Sequence, residues 1–254
     1  MNQNYCLNCS EETCKNYCAN CGQKTDTHRI KMKHFLLHDV LHGVWHFEKG
    51  ILFTIKEAFV RPGQAALDYI GGKRIRYYNV FYLCLLVIGL NILLTHFFHE
   101  IHPEALEKIS PNDFDLTGFI SKNLKLFMLS TVPLLALNAY LIFRKLHLNI
   151  AEHFIISGMS LLGMLMLSLL FVTMNFANTF DIPKFIGVFE MVSFLAIVFF
   201  PVWSYYDAAK NAYRFRGFLW RIVLFYVLFL LELIAILTTI VSMVAGSKNI
   251  YLNI

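Results

Sequence analysis

Long apolar runs separated by short polar turns fill the chain from residue 79 onward. Five of them are long enough to matter: roughly 79–98, 124–143, 154–174, 185–206 and 219–245. A helix of about 20 apolar residues crosses the ~30 Å of hydrocarbon in a bilayer, and it satisfies its own backbone polar groups on the way. The pattern therefore predicts an all-α integral membrane protein with about five transmembrane helices. The first run lies too far from the start for a signal peptide, and no cleavage-like pattern precedes it.

Between Arg29 and Arg61 the pattern is different. Phe35, Leu36, Leu37, Val40, Leu41, Val44 and Trp45 recur at near-helical spacing, and Ile51, Leu52, Phe53, Ile55, Ala58 and Phe59 repeat the motif. Gly43 and Gly50 interrupt it. Two short amphipathic helices in the cytoplasmic membrane interface, with Trp45 at headgroup level, are expected. Pro62 restricts the residue before it and Gly63 permits a turn, so Arg61-Pro62-Gly63 closes the second helix. Gly71-Gly72 makes another break. The expected organisation is a small zinc ribbon at 1–25, amphipathic interfacial helices at 26–78 and a membrane domain at 79–254.

Composition agrees with the pattern. The 254 residues are 57% hydrophobic, and the mean hydropathy of +0.55 lies far above that of a soluble domain. Charge then sets orientation. Lys73, Arg74 and Arg76 precede the first run, Arg144 and Lys145 follow the second, and Lys210, Arg214, Arg216 and Arg221 lie around the last turn. The segment after the first run is acidic instead, with Glu100, Glu104, Glu107, Asp113 and Asp115 against Lys108, Lys122 and Lys125. All the basic turns share one side if the N-terminus is cytoplasmic and the C-terminus outside, in a cytoplasmic (inner) membrane. The net charge of +5 thus follows from topology and anionic lipid. No basic groove with interleaved stacking aromatics argues for nucleic acid.

The start of the chain carries the most specific chemistry. Cys6-x2-Cys9 and Cys18-x2-Cys21, joined by eight residues, can close one tetrahedron around Zn2+. So short a connection predicts a minimal hairpin. Gly22 serves the turn around the metal, and Tyr5 and Tyr17 are placed to cover the site. With few apolar residues before Gln23, a structural zinc would supply most of the stability. Two disulfides or free thiols are the competing readings. Reduced, metal-bound cysteines again favour a cytoplasmic N-terminus. Cys14 reads as a free thiol or a redox-sensitive neighbour of the site, and Cys84 as a packing residue.

Other ionisable residues form a second tier of candidates. His34, His38, His42 and His46 recur every fourth residue, and the set rotates around a straight helix by roughly 120°. Pairs of them, with Asp39 or Glu48, can make a second metal or acid–base site, although imidazoles at an interface are also simply amphipathic. Glu152 and His153 open the third run, where Glu152 also suits a helix N-terminus. His96, His99 and His102, with Glu100, mark the outer end of the first run. Glu190 and Glu232 are intramembrane carboxyls, costly unless functional or hydrogen-bonded between helices. No nucleophile elbow, phosphate-binding loop or His-Glu-x2-His motif is present. Internal repeats are not evident, which disfavours an inverted-repeat transporter.

The order of motifs resembles a bacterial family of polytopic membrane proteins known only as a domain of unknown function. The resemblance rests on the double ribbon ending in Cys21-Gly22-Gln23, the His-rich amphipathic segment, Thr54, Arg61-Pro62-Gly63 and Tyr69-Ile70-Gly71-Gly72-Lys73-Arg74. Glu152-His153 and the Tyr205–Tyr213 region extend it over most of the chain. In that family the Glu-His pair is often followed by more histidine. Ser157 and Met159 stand there in this chain, which weakens any metal site in the third run. The resemblance implies the architecture and no activity.

Two functions from different classes fit these features. One is a membrane-anchored adaptor or assembly factor whose ribbon binds a protein partner. The other is a small permease or metal-dependent membrane enzyme that uses Glu232 and the cytoplasmic-side histidines. The first is favoured, because the well-formed motifs lie in the ribbon and the interface. Association with further subunits is compatible with either.

Overall fold

The computed structural model describes residues 5–13, 16–25, 29–30, 50–101, 113–177, 183–245 and 249–251. Among the described residues seven α-helices run in order: α1 (Ile51–Val60), α2 (Pro62–Ile70), α3 (Val80–Ile101), α4 (Leu116–Ile142), α5 (Ile150–Ala177), α6 (Pro183–Ala209) and α7 (Phe215–Ala245). Two three-residue strands, β1 (Asp113–Asp115) and β2 (Asn249–Tyr251), pair in parallel with Phe114 opposite Ile250. Helices α3, α5, α6 and α7 coincide with their apolar stretches to within a few residues, whereas α4 begins at Leu116, well before the stretch at 124–143. Among the described residues, four are long and apolar enough to cross a membrane: α3 with the turn before it, α5, α6 and α7. The described apolar part of α4, Leu129–Ile142, is shorter.

Helix α5 is the centre of the bundle, packed on α3, α4 and α6. Of its apolar window 67% is buried, against 11% for α7, so α7 presents most of its apolar surface outward. The distribution of polarity is that of a membrane protein. Large apolar residues such as Leu86, Leu93, Phe194, Phe199, Val223 and Leu231 are exposed, whereas Asn91, Asn138, Ser157, Ser160, Ser168 and Ser204 are buried. In lipid there is no gain from hiding leucine, and helices associate through close packing and hydrogen bonds between small or polar groups. Asn91 follows this rule: its Nδ2 donates to the Val87 carbonyl at 3.0 Å and to the Leu165 carbonyl at 3.4 Å, and it accepts from Ser168 Oγ at 3.4 Å.

Helices α1 and α2 bury their inner faces in this bundle. Ala58, Ala65 and Ala66 are fully buried, and α2 lies against α5 and α6. Gly63 makes that approach possible, since a Cβ there would overlap Ala208 N and Ser204 O of α6. The first turn of α2 has free backbone N–H groups, and α6 supplies the acceptor. Gln64 N donates to Asp207 Oδ2 at 2.8 Å, and Gln64 Nε2 to the Asp207 carbonyl at 2.7 Å. Trp203 Nε1 donates to the Phe59 carbonyl at 3.2 Å, and Tyr78 N donates to Thr54 Oγ1 at 2.8 Å. The amphipathic stretch is thus a platform built into one end of the bundle, at least from Gly50 onward.

Candidate metal centre

Cys6, Cys9, Cys18 and Cys21 come together as the spacing requires, with their four sulfurs within 4.8 Å of one another. Cys6 Sγ lies 3.6 Å from Cys21 Sγ, and Cys9 Sγ 3.5 Å from Cys18 Sγ. All four are free thiols, which sets aside the disulfide reading. Metal–sulfur bonds of about 2.3 Å in a tetrahedron put sulfurs about 3.8 Å apart, so the cage has the dimensions of a metal site. It could hold a metal ion with all four ligands from the protein.

The cage is built twice from one unit. Ser10 N donates to the Cys6 carbonyl at 2.8 Å, and Gly22 N to the Cys18 carbonyl at 2.9 Å. Cys6 N donates to the Glu11 carbonyl at 2.8 Å, and Cys18 N to the Gln23 carbonyl at 2.8 Å. Antiparallel bridges join Tyr5 to Glu12 and Tyr17 to Lys24. Each of these three backbone contacts recurs twelve residues later, matching Asn4-Tyr5-Cys6-Leu7-Asn8-Cys9 to Asn16-Tyr17-Cys18-Ala19-Asn20-Cys21. This repeat is visible in the sequence, where a search for long repeats passes over it. Each knuckle closes through a left-handed residue, Ser10 at φ 62° and Gly22 at φ 75°. Tyr5 and Tyr17, expected to cover the metal, are 63% and 62% exposed.

Four sulfurs at this spacing cannot all carry charge without a cation. At Cys21 burial opposes ionisation, yet hydrogen bonds from the Asn8 side chain and the Gln23 backbone hold the thiol down at about 6. At Cys9 the Glu11 backbone favours the thiolate, but burial and the Cys18, Cys21 and Cys6 thiols push it up to about 11. A divalent cation is the group that would let both serve as ligands.

The knuckle pair is not a free appendage. Gln23, buried beside the last ligands, donates from Nε2 to the Gly72 carbonyl at 2.6 Å, and its Oε1 accepts from Ile75 N at 3.5 Å. Arg76 Nη2 donates to the Asn8 carbonyl at 2.9 Å. Both contacts join the knuckles to the turn that leads into α3. A few residues on, Arg29 grips Glu152 through Nε and Nη2, each at 2.8 Å, and Nη2 also donates to the His147 carbonyl at 2.9 Å. Asn149 Nδ2 donates to the Ile30 carbonyl at 2.9 Å. The chain between metal site and bundle is held at both of these points.

The remaining candidates fare differently. Glu152 has structural duties: with Asn149 it forms a reciprocal helix cap, Asn149 N donating to Glu152 Oε2 at 2.7 Å and Glu152 N to Asn149 Oδ1 at 2.9 Å. His153 is buried between the Tyr140 and Tyr205 rings, each centroid 6.3 Å away. Glu232 accepts a hydrogen bond from Asn138 Nδ2 at 2.8 Å, which ties α7 to α4. His96 and Glu100 form an exposed pair at 3.3 Å. Cys84 is buried against the Gly158 carbonyl. His34, His38, His42, His46, His102 and Cys14 lie outside the described residues, as do the side chains of His99 and Glu190.

A second charged cluster supports the docking turn. Asp68 receives Lys73 Nζ at 2.7 Å, Arg61 Nη1 at 3.3 Å and the Tyr77 hydroxyl at 3.4 Å. Burial alone would raise its carboxyl, but Lys73, Arg61 and Tyr77 outweigh it and hold it below the usual carboxylate range. Glu57 pairs with Arg61 from the preceding turn of α1.

Residues 48–89 match the family described as a protein of unknown function (DUF3667). The matched segment contains α1, α2, the Gly71–Arg76 turn and the first half of α3, which is the platform on which the knuckles dock. No curated protein and no solved structure matches the chain.

Proposed function

We propose that the protein is a membrane-anchored adaptor or assembly factor whose zinc ribbon binds a protein partner. The observation that carries this reading is the closed four-cysteine cage, docked on the bundle with Tyr5 and Tyr17 facing outward. A catalytic zinc keeps a coordination position open for water or substrate, and this cage offers four thiolates instead. Thiolate ligands at tetrahedral spacing favour zinc, and reduced cysteines favour the cytoplasm.

The bundle spans the membrane five times in this reading, with the N-terminus inside and the C-terminus outside. Support for α4 as the fifth span comes from the pairing of β1 with β2. Those strands lie before α4 and after α7, and four crossings between them return the chain to the same side. Contacts Arg29–His147, Gln23–Gly72 and Lys145–Tyr213 gather the ribbon and the basic turns at the opposite end. The inner membrane of a bacterium fits that charge distribution.

The test is affinity capture from membranes with the full chain and with a Cys6→Ser, Cys9→Ser double variant. The variant is expected to insert normally and lose its partner. An unchanged set of captured proteins would rule the adaptor reading out.

A further inference from the structure

Four cations near the ribbon end have a carboxylate: Arg29 has Glu152, Lys73 and Arg61 have Asp68, and Lys210 has Asp207. Another group there does not. Lys145 Nζ lies 5.6 Å from the centroid of the Tyr213 ring, and the Arg221 guanidinium lies 4.6 Å from the same centroid. The two charges are therefore no farther apart than those distances laid end to end. Arg221 also stacks on Trp220 at 4.3 Å. The arrangement is fixed across two turns, because Lys145 N donates to the Tyr213 hydroxyl at 2.9 Å. Exposed Arg214 and Arg216 flank it. Among the described residues none of these four cations makes an ion pair.

We propose that this cluster binds the phosphate headgroup of an anionic phospholipid, seated between Lys145 and Arg221 on the Tyr213 platform. Stacking on aromatic faces orients the cations but leaves their net charge uncompensated. Among the described residues one hydrogen bond uses the Arg221 guanidinium, Nη1 to the Gly217 carbonyl at 2.7 Å, so a fork of N–H donors is left for phosphate oxygens. A lipid is the fitting source because the cluster continues into exposed apolar surface. Phe215 is 67% and Trp220 54% exposed, and Leu219 lies between them. An acyl chain can run along this face while the phosphate sits at the turn, as for basic pockets facing a membrane surface. The inference rests on the membrane-spanning reading above and is independent of the partner-binding one.

The experiment uses full-length protein in neutral detergent, with bound lipid counted by native mass spectrometry. Phosphatidylglycerol, phosphatidylcholine and sodium phosphate are added separately at equal concentration. Phosphatidylglycerol should be retained at least ten-fold better than phosphatidylcholine, and inorganic phosphate should neither bind nor compete. Lys145 is exposed, so Lys145→Gln leaves the core intact and should lower retention several-fold. Lys145→Gln with Arg221→Gln should bring phosphatidylglycerol down to the phosphatidylcholine level. Equal retention of the two lipids by the wild type, undiminished retention by the variants, or full competition by inorganic phosphate would each overturn the proposal. Alkaline extraction of membranes reports insertion separately, so failure of the lipid site is distinguishable from failure of the membrane reading.

Discussion

The knuckle pair and the helical bundle are held together by opposite means. In the bundle, apolar and small residues interlock around α5: Leu135, Ile156, Leu161, Leu162 and Leu165 are all fully buried. In the knuckles, Cys6, Cys18 and Gln23 are buried while Tyr5, Leu7 and Tyr17 are exposed. A unit with so little apolar interior cannot offset the ordering of its backbone by burial. One region therefore folds by packing and the other, in the reading proposed above, by metal ligation, and the Gln23–Gly72 and Asn8–Arg76 contacts connect them.

The sharpest way to break this comparison is to remove the metal. Elemental analysis should find one zinc per chain, absent from a form lacking residues 1–25. Chelation should unfold the knuckles and leave the bundle helical, because apparent zinc affinities of such units are about 10–16 kcal/mol. Hydrogen exchange would show the two responses side by side: lost protection at 5–25, and unchanged protection in α5. Zinc persisting in the truncated form would put a second site elsewhere, with the histidines at 34–46 as the first place to look.

The converse change attacks the bundle and spares the cage. Gly63→Ala puts a methyl group against the α6 backbone, where Ala208 Cα would be 2.8 Å away and nothing flexible can yield. Overpacking of this kind costs about 1–3 kcal/mol, and the rigid neighbour places it at the upper end. Thermal unfolding in detergent should show the loss while zinc content stays at one. Loss of zinc with the same substitution would mean that the cage depends on the platform for its own fold.

Glu152 tests the link between the regions. Glu152→Gln keeps an oxygen for the helix cap and loses the ion pair with Arg29, which is 58% exposed; the expected cost is about 1 kcal/mol or less. Glu152→Ala loses the cap as well, adding about 1 kcal/mol. An acid–base role would instead predict no such ranking in function, with Gln as damaging as Ala. The measurement is the melting midpoint of both variants beside protease sensitivity at residues 25–30, which should rise in each.

How far the sequence reaches differs by region for physical reasons. The long helices are legible because hydropathy and length are local properties of the chain. Their ends run past the apolar stretches, as at Asn149 and Glu152, because capping residues are polar and belong to the helix. The cysteine cage is legible from spacing alone, and so was its twelve-residue repeat. What could not be read locally are pairings such as Arg29 with Glu152 and Gln23 with Gly72, 123 and 49 residues apart. These decide that Glu152 anchors the chain and that the knuckle pair is docked. Even so, the Asn149-x2-Glu152 spacing carries the capping signature, a signal that favoured structure over catalysis.

The smallest effect separates the two halves of the cage. Both knuckles turn through a left-handed residue, but glycine occupies one and serine the other. A side chain in that conformation costs roughly 1 kcal/mol, part of which glycine returns through its freer unfolded chain. Ser10→Gly should therefore tighten zinc by a few-fold, and Gly22→Ser should weaken it by a similar factor. Competition with a chromogenic chelator reads both, and the bundle's melting midpoint should not move in either. If the two substitutions shift affinity unequally, the knuckle holding Gln23 contributes more than its own turn. The docking contact with Gly72 would then be part of the metal site's stability.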